Sequence, residues 1–375
     1  MKISIILGTR PEIIKMSPMV KLLQRKSLDF FILHSGQHYS HNMDRVFFEQ
    51  LRLPQPKYNL RVGSGTHAEE TGKMMIGIEK VLLKEKPDLV LVEGDTNTVL
   101  AGALAAVKVG VAVGHVEAGL RSFDRSMPEE INRVVADHVS HLLFAPTERA
   151  RENLVREGVD DGKVYVTGNT IVDAVYENLE LAEKYGGNNA LEGLGVADGE
   201  YFLVTVHRQE NVDDPRRFKG ILDGLKLVQK YFGLPIIYPI HPRSRKMMRE
   251  YGLDASGIIL TEPLDYLNFL LLERKSRLVF TDSGGVQEEA CILRIPCVTL
   301  RNNTERPETI EVGANTLAGS DPKKILEKAK MMIDVDRNWV NPFGDGKAAE
   351  RIVEIIEKTL HKICNNTFYL NKGFE

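Results

Sequence analysis

Charged and small residues recur in this chain immediately after short apolar runs. The first such stretch is Gly8-Thr9-Arg10-Pro11-Glu12, with Lys15 a turn later. Glycine permits a tight turn and Pro11 suits the start of a helix. Arg10 and Lys15 then lie where exposed backbone N–H groups and the helix dipole favour an anion. The same two residues would equally serve as solvated cations beside a helix cap. The run 88–92 leads into Glu93-Gly94-Asp95-Thr96-Asn97, where Asp95 is placed to cap the next helix. In Gly114-His115-Val116-Glu117-Ala118-Gly119-Leu120-Arg121 a carboxylate and a cation leave the end of a strand, a placement that packing explains poorly. Met127-Pro128-Glu129-Glu130 opens a helix with two acids, which the dipole alone would explain.

The second half repeats the arrangement. His207 closes the run 201–206 and His241 closes the run 235–240, so the same placement occurs on consecutive strands. A histidine there contacts phosphate, moves a proton or simply packs. Thr281-Asp282-Ser283-Gly284-Gly285-Val286-Gln287-Glu288-Glu289 is the strongest local signal. Ser283, Gly284 and Gly285 let the backbone approach closely and aim several N–H groups at one point, a nest for phosphate. Glu289 sits a turn and a half further on, where acids of other nucleotide folds reach a ribose hydroxyl. Thr304-Glu305-Arg306-Pro307-Glu308 adds another cation. Gly65…Gly72-Lys73 fails as a phosphate loop, because its spacing is wrong and Met74 replaces the required hydroxyl. His138 and His141 lack a third ligand nearby in sequence, so no metal site is expected.

These turns need a scaffold. Apolar β-branched runs at 2–7, 30–34, 88–92, 111–115, 142–145 and 163–167 alternate with helical periodicity, as do runs at 201–206, 235–240, 257–260, 277–281 and 296–300. Continuous apolar strands separated by amphipathic helices predict parallel sheets covered on both faces. The strands are too many for one eight-stranded barrel. Two Rossmann-like doubly wound α/β domains fit instead, expected at 1–168 and 169–375 with the seam at 168–170 and the natural site in the cleft between them. The segment 186–189 reads as a surface loop, and a last helix is expected near 346–363, crossing back to the first domain in one arrangement. No G-x-G-x-x-G follows a strand, which disfavours a nicotinamide-type site.

Composition narrows the class further. Apolar residues make up 43% and charged residues 27%, ordinary for a globular protein. Lys and Arg (49) nearly balance Asp and Glu (52), a net charge of −3 that argues against wrapping nucleic acid or coating an anionic membrane. Three cysteines do not make a disulfide framework, and the longest apolar stretch, 99–113, is broken by Lys108 and Gly110. A cytoplasmic protein is expected.

Taken in order, the GTRPE turn with Lys15, Glu93-Gly94-Asp95, His115 to Arg121, Pro128-Glu129-Glu130-x-Asn132-Arg133, Asp282 to Glu289 and Thr304 to Glu308 resemble the non-hydrolysing UDP-N-acetylglucosamine 2-epimerases. The resemblance spans roughly residues 1 to 355. It implies a GT-B-like pair of domains, a homodimer, and interconversion of UDP-GlcNAc and UDP-ManNAc without an added cofactor. It also implies the route. UDP leaves C1 as the C2 proton is removed, giving 2-acetamidoglucal, and the steps then reverse on the opposite face. Carried over by motif, Asp95, Glu117 and Glu129 resemble the carboxylates around the sugar, while His207 and Arg10 resemble the groups on the diphosphate. Lys15 and Arg306 resemble further ligand contacts. Ser283, Gly284 and Gly285 resemble the phosphate turn, Glu289 the ribose contact and Phe269 the uracil-side residue.

Which acid serves which face of C2 stays open in the sequence. Bacterial relatives carry an adjacent activating site, matched in part by Gln37, His38 and His241, but Thr66-His67 stand where an Arg-Gln pair is expected. Two other readings share features with this one. A hydrolysing 2-epimerase would release ManNAc and UDP, and a UDP-sugar-dependent GT-B glycosyltransferase would need an acceptor groove.

Overall fold

A computed structural model describes residues 1–36, 47–185 and 193–370. Gln37, His38 and the segment 186–189 lie outside the described residues. The chain divides into two compact units, Met1–Ala174 with Phe343–Glu375, and Val175–Pro342.

The first unit runs β1 (Lys2–Leu7), α1 (Arg10–Arg25), β2 (Asp29–His34), β3 (Tyr58–Asn59), α2 (His67–Glu85), β4 (Leu89–Glu93), α3 (Asn97–Lys108), β5 (Ala112–Val116), α4 (Pro128–Val139), β6 (Leu142–Ala145), α5 (Glu148–Arg156) and β7 (Val164–Val166). Its sheet has the order β3-β2-β1-β4-β5-β6-β7, parallel throughout. Strands β4, β5 and β6 are buried at every position, because helices cover both faces and no alternating polar side is left. The helix α6 (Thr170–Tyr185) crosses the division between the units.

The second unit runs β8 (Phe202–Thr205), α7 (Gln209–Val212), α8 (Pro215–Phe232), β9 (Ile236–Pro239), α9 (Pro242–Glu250), β10 (Ile258–Thr261), α10 (Tyr266–Arg274), β11 (Leu278–Thr281), α11 (Gly284–Ile292), β12 (Cys297–Thr299), α12 (Pro307–Glu311), β13 (Asn315–Leu317) and α13 (Pro322–Met332). Its sheet order is β10-β9-β8-β11-β12-β13, again parallel. Phe202, Phe280, Ile236, Leu225 and Ile325 are among the residues of its core. The last helix, α14 (Ala348–Leu370), belongs to the first unit, where it packs on α1 and Lys26 pairs with Glu357 at 2.7 Å.

Both sheets are doubly wound, and the strand order reverses between β1 and β4 and between β8 and β11. Ligands of open α/β sheets bind beyond the carboxyl ends at such reversals. The turns after β1, β4, β8 and β11 stand at these points, and all four carry candidate residues.

Helix α1 shows how the local sequence secures one of them. Pro18 sits in its interior and has no N–H to offer the carbonyl of Ile14. The Ser17 hydroxyl donates to that carbonyl instead, at 2.8 Å. No described helix is long and apolar enough to cross a membrane.

Candidate active site

In the first unit the site is built from the turns after β1, β4 and β5 and the head of α4. Gly8 must be glycine here, since a Cβ would stand 2.0 Å from Ser35 Oγ and 2.4 Å from Thr98 Oγ1. This close fit lets Glu12 fold back over the turn. Its Oε2 accepts from the Gly8 and Thr9 N–H groups at 2.5 and 2.9 Å, and its Oε1 accepts from the Thr96 hydroxyl. Burial pushes Glu12 up to about 7, against the hydrogen bonds from Thr96, Gly8 and Thr9, with Asp95 adding to the rise.

The folded state therefore holds this proton more tightly than the unfolded chain does. Unfolding free energy is expected to fall as pH rises from about 4.5 to about 7 and to be flat with respect to Glu12 above that. The Glu12→Gln variant should lose up to about 3 kcal/mol of that slope in urea titrations across the window. Equal slopes in the two proteins would count against it.

Asp95 does not cap α3, contrary to the reading from sequence. Thr96 does so, accepting from the N–H groups of Thr98 and Val99 at 3.2 and 3.4 Å. The Asp95 carboxylate is instead held by Arg133, and its carbonyl accepts from Asn132 Nδ2 at 2.9 Å. Both partners come from α4, so this helix is tied to the turn after β4. The two acids opening α4 have different surroundings. Glu130 is buried and accepts from Ser122 N–H (3.0 Å), Phe123 N–H (2.9 Å) and Arg133 (2.7 Å), which fixes the loop before the helix. Glu129 is half-buried, and among the described residues its carboxylate has no partner.

Glu117 adopts φ +68°, a left-handed conformation that a glutamate takes at a cost of about 1–3 kcal/mol. Its Oε2 accepts from Asn169 Nδ2 at 2.9 Å and from the Lys15 ammonium. Lys15 also lies 3.2 Å from Glu93 and is only 7% exposed, so this cation is enclosed by acids rather than solvated. Arg10 is exposed, with its guanidinium 5.5 Å from the centre of the Phe47 ring.

Behind these groups lies a polar network for which the spacing gives no signal. His115 Nε2 faces the Gly94 carbonyl at 2.8 Å and its Nδ1 faces Asp137 at 2.7 Å. Asp137 also accepts from Arg121 at 2.7 Å and from the Gly119 N–H at 3.2 Å. Burial would raise the Asp137 carboxyl, but His115 and Arg121 outweigh it and hold it below the usual range. One buried carboxylate thus braces both the turn carrying Asp95 and the turn carrying Glu117.

In the second unit, Ser283 caps α11, its hydroxyl accepting from Val286 N–H at 3.5 Å. Gly284 and Gly285 form the first turn. A Cβ on Gly284 would meet Glu305 Oε1 at 2.5 Å and lie 3.9 Å from Arg208 Nη2, so a guanidinium borders this turn. Glu305 ties that cation down at 3.0 Å and pairs with Arg301 at 2.8 Å. Burial alone would raise Glu305, but Arg208, Arg306 and Arg301 hold it well below the usual carboxylate range. Arg306 is buried against Glu288 at 2.6 Å.

His207 is half-exposed, and Asp282 organises its turn. Asp282 accepts from the N–H groups of His207 (3.1 Å) and Arg208 (3.0 Å) and from Asn211 Nδ2 (3.1 Å), with His207 Nδ1 at 3.3 Å. This leaves Nε2 facing away from the carboxylate. Glu289 is buried and accepts from Tyr266 at 2.9 Å, and Phe269 lies half-buried on the same helix as that tyrosine. His241 caps α9 and Thr66 caps α2. Among the described residues no set of three or more His, Cys, Asp or Glu is arranged to hold a metal ion.

Comparison with known proteins identifies the family of the chain. A family model described as UDP-N-acetylglucosamine 2-epimerase matches residues 20–357. The UDP-N-acetylglucosamine 2-epimerase of Methanocaldococcus jannaschii is 58% identical, over 95% of this chain and 99% of that one. The UDP-2,3-diacetamido-2,3-dideoxy-D-glucuronate 2-epimerase of Pseudomonas aeruginosa is 42% identical over 96% of this chain and all (100%) of its own. Among solved structures, the Methanocaldococcus enzyme in complex with UDP-GlcNAc and UDP superposes with a TM-score of 0.89 at 57% identity, covering 95% of this chain and 99% of that one. The six motifs, the two doubly wound sheets and these relatives place the chain in the UDP-N-acetylglucosamine 2-epimerase family.

Proposed function

We propose that the protein interconverts UDP-N-acetylglucosamine and UDP-N-acetylmannosamine without releasing the free sugar, as a homodimer. The observation that carries this reading is the group of acids on the first unit. Asp95 lies in the turn after β4, while Glu117 opens the connection after β5 and Glu129 stands in the first turn of α4 at its end, all beyond the carboxyl edge of one sheet, and Glu117 is kept there at a backbone cost.

The C2 hydrogen of the sugar is not next to a carbonyl, so direct removal is too slow. Elimination of UDP from C1 makes it accessible. A carboxylate takes the C2 proton as the C1–O bond breaks, and 2-acetamidoglucal and UDP remain bound. A second acid then protonates C2 from the opposite face, and UDP returns to C1. The acids of the first unit supply the groups for both faces. On the second unit, the Ser283–Gly285 turn and the head of α11 hold the departing diphosphate. His207, oriented by Asp282, is the group that steadies the leaving oxygen, and Arg10 adds a positive charge. Glu289 takes the ribose hydroxyl, and Phe269 flanks the uracil.

Proton NMR of the purified protein with UDP-GlcNAc in D₂O tests the reading. UDP-ManNAc with deuterium at C2 is the expected outcome. Free ManNAc and UDP would instead mark a hydrolysing enzyme, and an unchanged spectrum would rule out both.

A further inference from the structure

Glu273 has no part in the scheme above, yet it follows the buried Leu270, Leu271 and Leu272 on α10 and is itself 0% exposed. Among the described residues no donor reaches either of its carboxyl oxygens. The titratable groups near it are Glu289 on α11, Tyr266 on α10, Tyr201 just ahead of β8 and Cys297 on β12, and none of them is a cation. A carboxylate enclosed in this way takes up a proton rather than keep its charge. The neutral acid then carries one O–H donor, and the acceptor it faces is Glu289.

We propose that Glu273 is a positioning residue for the nucleotide, its carboxyl O–H donating to Glu289 so that α10 grips that carboxylate at two points. The inference rests on the functional reading above, in which Glu289 takes a ribose hydroxyl. Tyr266 is the first point, its hydroxyl donating to Glu289 Oε1 at 2.9 Å. Tyr266 and Glu273 lie seven residues apart, two turns of α10, and so share one face of the helix. No proton is transferred. Glu289 keeps its charge and Glu273 its proton, and a hydrogen bond to an ionised acceptor is the stronger kind.

The surroundings fit this role. Burial first, and then the charge of Glu289, push the Glu273 carboxyl well above the usual carboxylate range. Glu289 is 6% exposed, so it lies at the edge of the protein interior with Glu273 wholly inside it. Two donors from one buried helix face orient Glu289 before the nucleotide arrives, and binding is spared the cost of ordering it. A site built to bond a hydroxyl in this way rejects nucleotides that lack it.

Glu273→Met keeps the length of the side chain and removes the donor. UDP affinity is expected to fall about 10-fold, the loss of one hydrogen bond to an ionised group. Affinity for 2′,3′-dideoxy-UDP should stay at the wild-type value, so discrimination between the two nucleotides shrinks by the same factor. In turnover the loss should appear in KM with kcat unchanged, since the ribose is held alike in the ground and transition states. Glu273→Gln, whose amide donates in place of the acid, should restore both UDP affinity and discrimination. A Gln variant as weak as the Met variant would overturn the proposal. Equal weakening toward both nucleotides would show a packing role and overturn it too. If the variants do not fold, neutron diffraction from the deuterated wild-type protein decides. A deuteron on Glu273 directed at Glu289 is expected, and an ionised Glu273 would overturn the proposal. Wild-type protein that binds the two nucleotides equally overturns the ribose part of the functional reading and this inference with it. Wild-type discrimination that persists in Glu273→Met overturns only the part given to Glu273.

Discussion

Glutamine in place of Glu117 is expected to lower turnover by about 10²–10⁴-fold while leaving UDP affinity nearly unchanged. The change is conservative in shape. The amide oxygen still accepts from Asn169, and the left-handed backbone at φ +68° is as accessible to glutamine as to glutamate. Lys15 keeps Glu93 as a partner at 3.2 Å, so the buried cation is not stranded. Only the ability to take or give a proton is lost. Calorimetric titration with UDP and a turnover assay on the same preparation separate the two effects. Wild-type turnover in this variant would remove Glu117 from the chemistry. Loss of UDP binding together with turnover would show that its role is structural.

Alanine in place of Gly284 should act through the other half of the machinery, weakening UDP binding by about 10–100-fold. The added methyl would stand 2.5 Å from Glu305 Oε1, so that carboxylate must move. Glu305 cannot move cheaply, because Arg208 and Arg301 hold it at 3.0 and 2.8 Å. Displacing it releases the guanidinium that borders the Ser283–Gly285 turn, the proposed seat of the diphosphate. Gly285→Ala is the control. Its methyl would meet nothing nearer than Ser283 Oγ at 3.9 Å, so the cluster stays in place. Equal UDP affinity in wild type and Gly284→Ala would dismiss the turn as the diphosphate's seat.

The contrast between these two halves also marks what sequence can show. Most strand positions were legible to within a residue or so, because each is a continuous apolar run: 142–145 coincides with β6 and 277–281 begins one residue ahead of β11. The strands β3 and β13 were not legible. They have two and three residues, lie on opposite outer edges of their sheets, and carry no apolar run to mark them. Local spacing also chose the wrong cap for α3, since Asp95 and Thr96 are both good capping residues and only Arg133 decides between them. The motif residues were visible as types at strand ends. Their pairings were not. Lys15 finds Glu117 across 102 residues and Asp282 finds His207 across 75, distances over which no periodicity carries information.

The return of α14 to α1 affects the order in which the protein is made. The first unit draws on two segments, Met1–Ala174 and Phe343–Glu375, whereas the second is the single uninterrupted segment between them. On the ribosome, the second unit has emerged whole while the first still lacks its closing helix. Domains ordinarily fold from the N-terminus during synthesis. Here the acids of the first unit are translated early, but α14, which packs on α1, follows the whole of the second unit, so the first unit can be completed only after the second has been made.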